Sequence, residues 1–165
     1  MGNPFISQAL VRDHARALES EAESQRQAAD LVTAHLAAVR LFATCSRKEL
    51  RAVAKSAKIA TVKSGAQVIT EGDAGNAMYV ILTGTARVSR AGRKLATVGP
   101  GAAFGELALL SKGPRTATVV ALSDMEVAII TRRKLTRLLE AAPAFARKLL
   151  EALADVVREN DRKLV

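Results

Sequence analysis

Apolar residues at Leu31, Val32, Ala34, Leu36 and Val39 fall near one helical face, and no Gly or Pro interrupts residues 7–39, so the spacing predicts one long helix there. Its first half has a different character. Glu19 to Gln27 is almost wholly polar, which suits a solvent-exposed helix or one that docks on something outside the chain. Thr44-Cys45-Ser46 breaks the pattern, and a second helix is expected over 46–56. Ser46 and Glu49 stand there at capping-box spacing, ahead of a buried face of Leu50, Val53 and Ala54.

After Ala57 the period changes. Short β-prone runs follow at Ile59–Val62, Gln67–Thr70, Met78–Thr83, Ala86–Ser89, Lys94–Val98, Thr116–Leu122 and Met125–Ile130. Glycine-centred turns separate them, among them Gly72-Asp73-Ala74-Gly75-Asn76, Ala91-Gly92 and Gly99-Pro100-Gly101. Several short strands at near-regular spacing mean a sandwich or barrel. At Thr131 the helical period returns. Thr131 can cap a helix over 132–141, Pro143 suits the first turn of another, and Phe145–Val157 repeats apolar residues at 3.6 spacing, giving a last helix over 143–162. The predicted order is helix, helix, β-barrel, helix, helix.

Composition narrows the class. With 165 residues, 49% hydrophobic and 25% charged, the chain can build a real core, made from Ala, Val, Leu and Ile because aromatics are 3% and Trp is absent. The single Cys45 excludes a disulfide framework and a multi-cysteine zinc site. It reads as a small buried hydrophobe, and His14 and His35 read as surface or packing residues, so no metal is expected. No apolar run approaches the ~18 residues of a membrane span. Met1 to Ile6 does not open a signal peptide, and Ile6 stands where N-myristoylation wants Ser or Thr. A cytoplasmic protein is expected.

The net charge of +9 invites an anionic partner, and its distribution says where. Residues 40–115 hold thirteen basic and four acidic groups, so the whole excess lies in the middle of the chain. The basic hairpin from Arg87 to Lys94 has no aromatic residues interleaved for base stacking, which argues for a solvated face over a nucleic-acid site. The sequence contains no Walker A loop, no His-Glu-x-x-His and no Gly-x-Ser-x-Gly. No enzyme is expected.

One segment carries chemistry: Phe104-Gly105-Glu106-Leu107-Ala108-Leu109-Leu110-Ser111-Lys112-Gly113-Pro114-Arg115-Thr116-Ala117. It leaves a strand at Ala103-Phe104, turns at Gly105, forms a short helix over Glu106 to Leu110, and returns to a strand at Thr116. The turn exposes backbone N–H groups, and Arg115 at the far end could hold a phosphate through a bidentate, charge-assisted contact. Glu106 would repel that phosphate, but its carboxylate suits the paired hydroxyls of a sugar. Phosphate, diol and an apolar barrel interior together describe a nucleotide, and without a Lys clamp or Mg²⁺ site a monophosphate fits. The alternative is a structural ion pair between Glu106 and Arg115 over an empty pocket.

At these residues the sequence resembles the cyclic nucleotide-binding domain family and its phosphate-binding cassette. The resemblance extends more loosely from about Leu41 to Ala142, through Leu41-Phe42, Glu71-Gly72-Asp73 and Met78 to Gly84. It implies an α+β fold, an antiparallel β-roll of jelly-roll kind with flanking N- and C-terminal helices. Residues 1–40 are then a helical extension and 41–165 the nucleotide-binding domain, its β-roll over 57–131. It also implies amides from Gly105, Leu107 and Ala108, ribose binding by Glu106 and Gly105, and phosphate binding by Arg115, Thr116 and Ala117. A hydroxyl at Thr116 goes with cGMP in family kinases but with cAMP in bacterial-type members, and cAMP is the expected ligand.

The purine is expected against Val80, Leu82 and Val88, under a lid from the last helix at Val156 or Arg158. Binding would shift a population of conformations. Leu109 or Leu110 repacks against the Thr131–Pro143 hinge, and the last helix closes. Three settings suit such a sensor: a stand-alone protein whose N-terminal helix docks an effector or a second copy, a fragment of a longer chain, or a catabolite-activator-like transcription regulator without its DNA-reading part. A ligand-free docking domain of the same fold is the remaining alternative.

Overall fold

The structure, a computed structural model, describes residues 4–164; Met1 to Asn3 and Val165 lie outside the described residues. Helix α1 runs over Pro4–Leu36. It ends three residues before the expected Val39, because Val39 takes an extended backbone that turns Arg40–Phe42 into a 3-10 turn and drives Leu41 and Phe42 into the core. Helix α2, Arg47–Ser56, begins on the expected capping box: the Glu49 amide donates to the Ser46 hydroxyl at 3.2 Å, and the Ser46 amide donates to the Glu49 carboxylate at 2.7 Å.

Eight strands follow: β1 Lys58–Val62, β2 Gln67–Ile69, β3 Ala77–Thr83, β4 Ala86–Arg90, β5 Arg93–Val98, β6 Ala103–Phe104, β7 Thr118–Ala121 and β8 Met125–Thr131. They form two antiparallel four-stranded sheets, ordered β1-β8-β3-β6 and β2-β7-β4-β5. Helix α3, Arg132–Ala141, is capped by the Thr131 hydroxyl, and Pro143 opens α4, Pro143–Leu164, where its missing N–H costs nothing. The result is the expected α+β roll with helices at both ends. Strand β7 starts two residues later than the sequence pattern suggests. Arg115 spends its N–H on Asp73 and its C=O on Gly72, so the backbone joins the ladder only at Thr118.

Two cores share the first sheet. On one face of β3 and β8, Met78, Val80, Leu82, Ala128 and Ile130 pack with Val32, Leu36, Phe42, Leu135 and Leu149 of the helical layer. On the other face, Ile81, Met125 and Val127 meet Ile69, Ala86 and Val119 of the second sheet. That is why β3 reads as an unbroken apolar run: both faces are covered. Among the described residues no helix is long and apolar enough to cross a membrane.

A charged tie closes the helical layer. Lys148 of α4 donates to both carboxylate oxygens of Glu49 at 3.0 Å. Partial desolvation works to raise the Glu49 pKa, but the Ser46 amide, the Lys148 ammonium and the Ser46 hydroxyl together hold it below the ordinary carboxylate value. A depressed folded pKa adds stability above the unfolded value and loses it as the pH falls through the folded one. Thermal midpoints of the wild type and Glu49→Gln should therefore differ at neutral pH and converge in acid; parallel curves would show that the tie adds nothing.

Cys45 sits half-buried beside the helical core, and burial, with the Glu49 carboxylate second, pushes its thiol up to about 11. Burial thus favours its protonated form at neutral pH, as suits a packing thiol.

Candidate functional site

The outer end of the second core opens into a cavity of about 330 Å³, walled by β4, β5, β6 and the loop that runs from Phe104 to Ala117. Val88, Leu95, Ala96, Val98 and Val119 give it an apolar side, and Glu106, Arg115 and Thr116 give it a polar one. An adjoining pocket of about 250 Å³ shares Gly105, Glu106, Arg115 and Thr116 and adds Leu107 and Ala108. Six residues expected to bind phosphate or ribose and one of those expected against the base therefore converge: Gly105, Glu106, Leu107, Ala108, Arg115, Thr116 and, on the apolar side, Val88. Ala117 lines the larger cavity beside them. A larger groove of about 690 Å³ lies elsewhere, between α1 and α2, where Glu21, Ser24, Gln25, Arg26 and Lys55 join an Ala-, Val- and Ile-rich lining.

The local sequence explains the geometry. Gly105 has φ of +81°, a left-handed conformation that an L side chain rarely takes, and a Cβ there would come within 2.6 Å of Arg115 Nη1. The turn throws Glu106–Leu109 into a 3-10 helix. Ala108 spends its amide on Gly105 O at 3.1 Å, while among the described residues the Glu106 and Leu107 amides meet no protein acceptor.

Arg115 is held before any ligand arrives. Its Nη1 donates to Ala77 O at 2.8 Å and to Gly105 O at 3.5 Å, and its Cζ lies 5.9 Å above the Tyr79 ring. Tyr79 in turn stacks on Phe104 with ring centroids 5.4 Å apart. A Cβ at Gly75 would overlap Nε and Cζ of this guanidinium, so the position has to be glycine for reasons of space. Nε and Nη2 keep their protons free of protein acceptors among the described residues. No ion pair joins Glu106 to Arg115 among them either, so the two charges stand apart and available.

Some residues expected at the base lie elsewhere. Val80 and Leu82 are buried on the helical face of β3, with the sheet between them and the cavity; Tyr79 and Ile81 take the inner face instead. Val156 and Arg158 do not line the cavity. Helix α4 buries Phe145, Leu149 and Ala152 in the helical core, Glu159 pairs with Arg40, and Arg158 faces solvent beside Asp155.

Three groups came in that the sequence pattern did not single out as site residues. Arg90, at the end of β4, lines the cavity and donates from Nε to Thr116 O at 2.8 Å, while the next amide, Ala91, donates to Glu71 at 2.9 Å. The basic hairpin is thus fastened to the end of the loop. Gly75 and Tyr79 form the seat of Arg115. Arg132, the first residue of α3, donates to Ala108 O at 2.7 Å, Gly75 O at 2.7 Å and Ser111 O at 3.0 Å. An Arg immediately after a helix cap was the visible signal, but its acceptors are distant in sequence.

Comparison with known proteins gives the family. Residues 59–142 match the family model described as cyclic nucleotide-binding domain. The chain is 36% identical over 105 residues to the cyclic AMP receptor protein of Thermus thermophilus, covering 61% of this chain and 49% of that one. It is 35% identical over 104 residues to a cGMP-dependent protein kinase of Toxoplasma gondii, covering 63% of this chain and 10% of the kinase. The chain thus spans half or less of the length of these relatives. Among solved structures, the N-terminal domain of a transcriptional regulator from Streptomyces coelicolor superposes with a TM-score of 0.72 at 31% identity, over 78% of this chain and 95% of that one.

Proposed function

The chain belongs to the cyclic nucleotide-binding domain family, and on that premise we propose that it is a sensor of a cyclic nucleoside monophosphate, without catalysis of its own, working in the cytoplasm. The observation that carries this is the seated guanidinium: Arg115 is fixed by two carbonyls and an aromatic ring, with two donor edges unspent and the Glu106 carboxylate on the same wall. Arg115 takes the exocyclic phosphate oxygens, assisted by the Leu107 amide, and Glu106 takes the ribose hydroxyl. Val88, Leu95 and Val98 supply the apolar surface for the purine. Arg132 links the loop to α3, which gives ligand binding a route to the C-terminal helices.

We read the ligand as cAMP, in line with the relative named a cyclic AMP receptor protein. One observation favours cGMP as a second reading. Arg90 and Thr116 bring donors to the mouth of the cavity, and guanine offers paired O6 and N7 acceptors where adenine offers an acceptor beside a donor. Calorimetric titration with cAMP and cGMP tests both. Saturable binding of either nucleotide supports the sensor reading, and none by either overturns it. If cGMP binds tighter, Arg90→Leu should narrow the gap to cAMP by roughly tenfold or more, the value of one bidentate base contact.

A further inference from the structure

Helix α1 outruns the body it belongs to. Val32 and Leu36 are fully buried, Ala28 and Ala29 half-buried, yet Val11 and Leu18 are 66% and 52% exposed. The same stripe joins the buried and the bare parts. Val11, Ala15, Leu18, Ala22, Gln25, Ala29, Val32 and Leu36 recur at alternating steps of four and three, the heptad spacing that packs one helix along another. In α1 the C-terminal part of that seam is covered by the protein's own core, and the N-terminal part has no cover among the described residues.

We propose that this bare seam pairs antiparallel with the same seam of a second copy of the chain, about a two-fold axis between Arg16 and Ala17. In that register Leu18 packs on the partner's Ala15 and Val11 on the partner's Ala22, a large residue against a small one at every apolar layer. Gln25 meets the partner's Gln8, so the polar seam residues also face each other. The flanking charges pick this register. Arg12 lies beside the partner's Glu19, twice by symmetry. Sliding by one heptad would set Leu18 on the partner's Ala22, but it brings Glu19 against the partner's Glu19 and Arg12 against the partner's Arg26. Antiparallel helices also oppose their dipoles.

The end of the coil has room prepared for it. Beyond Gln25 the α1 seam forms one wall of the groove of about 690 Å³, and Ala54, Ala57 and the 40% exposed Ile59 form the other. In this register the partner's α1 reaches the groove at Gln8, opposite Gln25. This interface is independent of the nucleotide reading.

Sedimentation velocity over a concentration series tests the proposal on the full chain. The wild type is expected to dimerise reversibly. Leu18→Glu removes two symmetric contacts at a solvent-exposed position and should raise the dimer dissociation constant about 100-fold, with an unchanged circular dichroism spectrum of the β-roll. Arg12→Glu should raise it by about tenfold, and Arg12→Glu/Glu19→Arg should restore it, because the reversed charges meet again only in this register. A wild type that stays monomeric throughout, as it would if an unrelated protein covered the seam, overturns the proposal. So does a Leu18→Glu protein that dimerises as well as the wild type, or a charge swap that fails to rescue, which is the outcome of a parallel pair.

Discussion

Replacing Arg115 with Ala is expected to weaken cyclic nucleotide binding by about 10²–10⁴-fold while leaving the fold in place. Two charge-assisted hydrogen bonds to a phosphate are worth about 1.5–3 kcal/mol each, and their loss together gives that range. The fold survives because the guanidinium's own structural bonds are few: one to Ala77 O at 2.8 Å and a longer one to Gly105 O. Gly105 lines the open cavity, where water can replace the lost donor, so the one buried loss is the bond to Ala77 O. Isothermal calorimetry reads the affinity and circular dichroism the fold. An affinity within a few-fold of wild type would remove Arg115 from the phosphate site.

A second substitution reaches the same contact without touching the arginine. In Gly75→Ala the new methyl would occupy the space of Nε and Cζ, so the guanidinium must leave its seat over Tyr79. All of its chemistry remains, and only its placement is lost. Weakened binding in this variant therefore tests preorganisation separately from charge. If Gly75→Ala binds as the wild type does, the seat contributes nothing to recognition.

The cassette was legible because its chemistry is local. Gly105, Glu106 and Arg115 lie within eleven residues, and the turn that joins them is dictated by Gly105 at φ +81°. The helix starts were legible for the same reason: the Ser46 and Glu49 box and the Thr131 cap are formed by neighbours in sequence. What depended on packing between distant segments was not. Val80 and Tyr79 are adjacent and both apolar, and only the tertiary arrangement says which faces the helices and which the cavity. An alternating pattern would have decided it, but a strand covered on both faces has none. The resting place of the last helix depended on packing likewise. The 3.6-residue spacing in α4 gave a buried face, and nothing in the spacing said that Phe42 and Leu135 would be its partners. Gly75 read as one more turn glycine, since its role is the space it leaves for a side chain forty residues away.

Arg132 should be the most costly substitution for the structure and the most informative for the mechanism. Its half-buried guanidinium holds Ala108 O, Ser111 O and Gly75 O, and its own amide donates to Asn76 O at 2.7 Å. One side chain thus fastens three segments together: the 3-10 turn of the cassette, the loop after it, and the turn whose Gly75 makes room for Arg115. All are fixed to the first residue of α3. Arg132→Ala strands three carbonyls and is expected to cost about 2–4 kcal/mol, lowering the thermal midpoint by roughly 4–16 °C. Arg132→Lys, a point charge that cannot span three acceptors, should fall between. The functional consequence separates binding from response. Arg115 keeps its seat on Ala77 O in this variant, so nucleotide affinity should drop far less than in Arg115→Ala. The link from the cassette to α3 is cut, however, and a spin-label distance from β5 to α4, which the proposed coupling expects to change with nucleotide in the wild type, should no longer change. A ligand-dependent distance that survives Arg132→Ala would show that the signal leaves the cassette by another route, through the packing of Leu109 against the helical core.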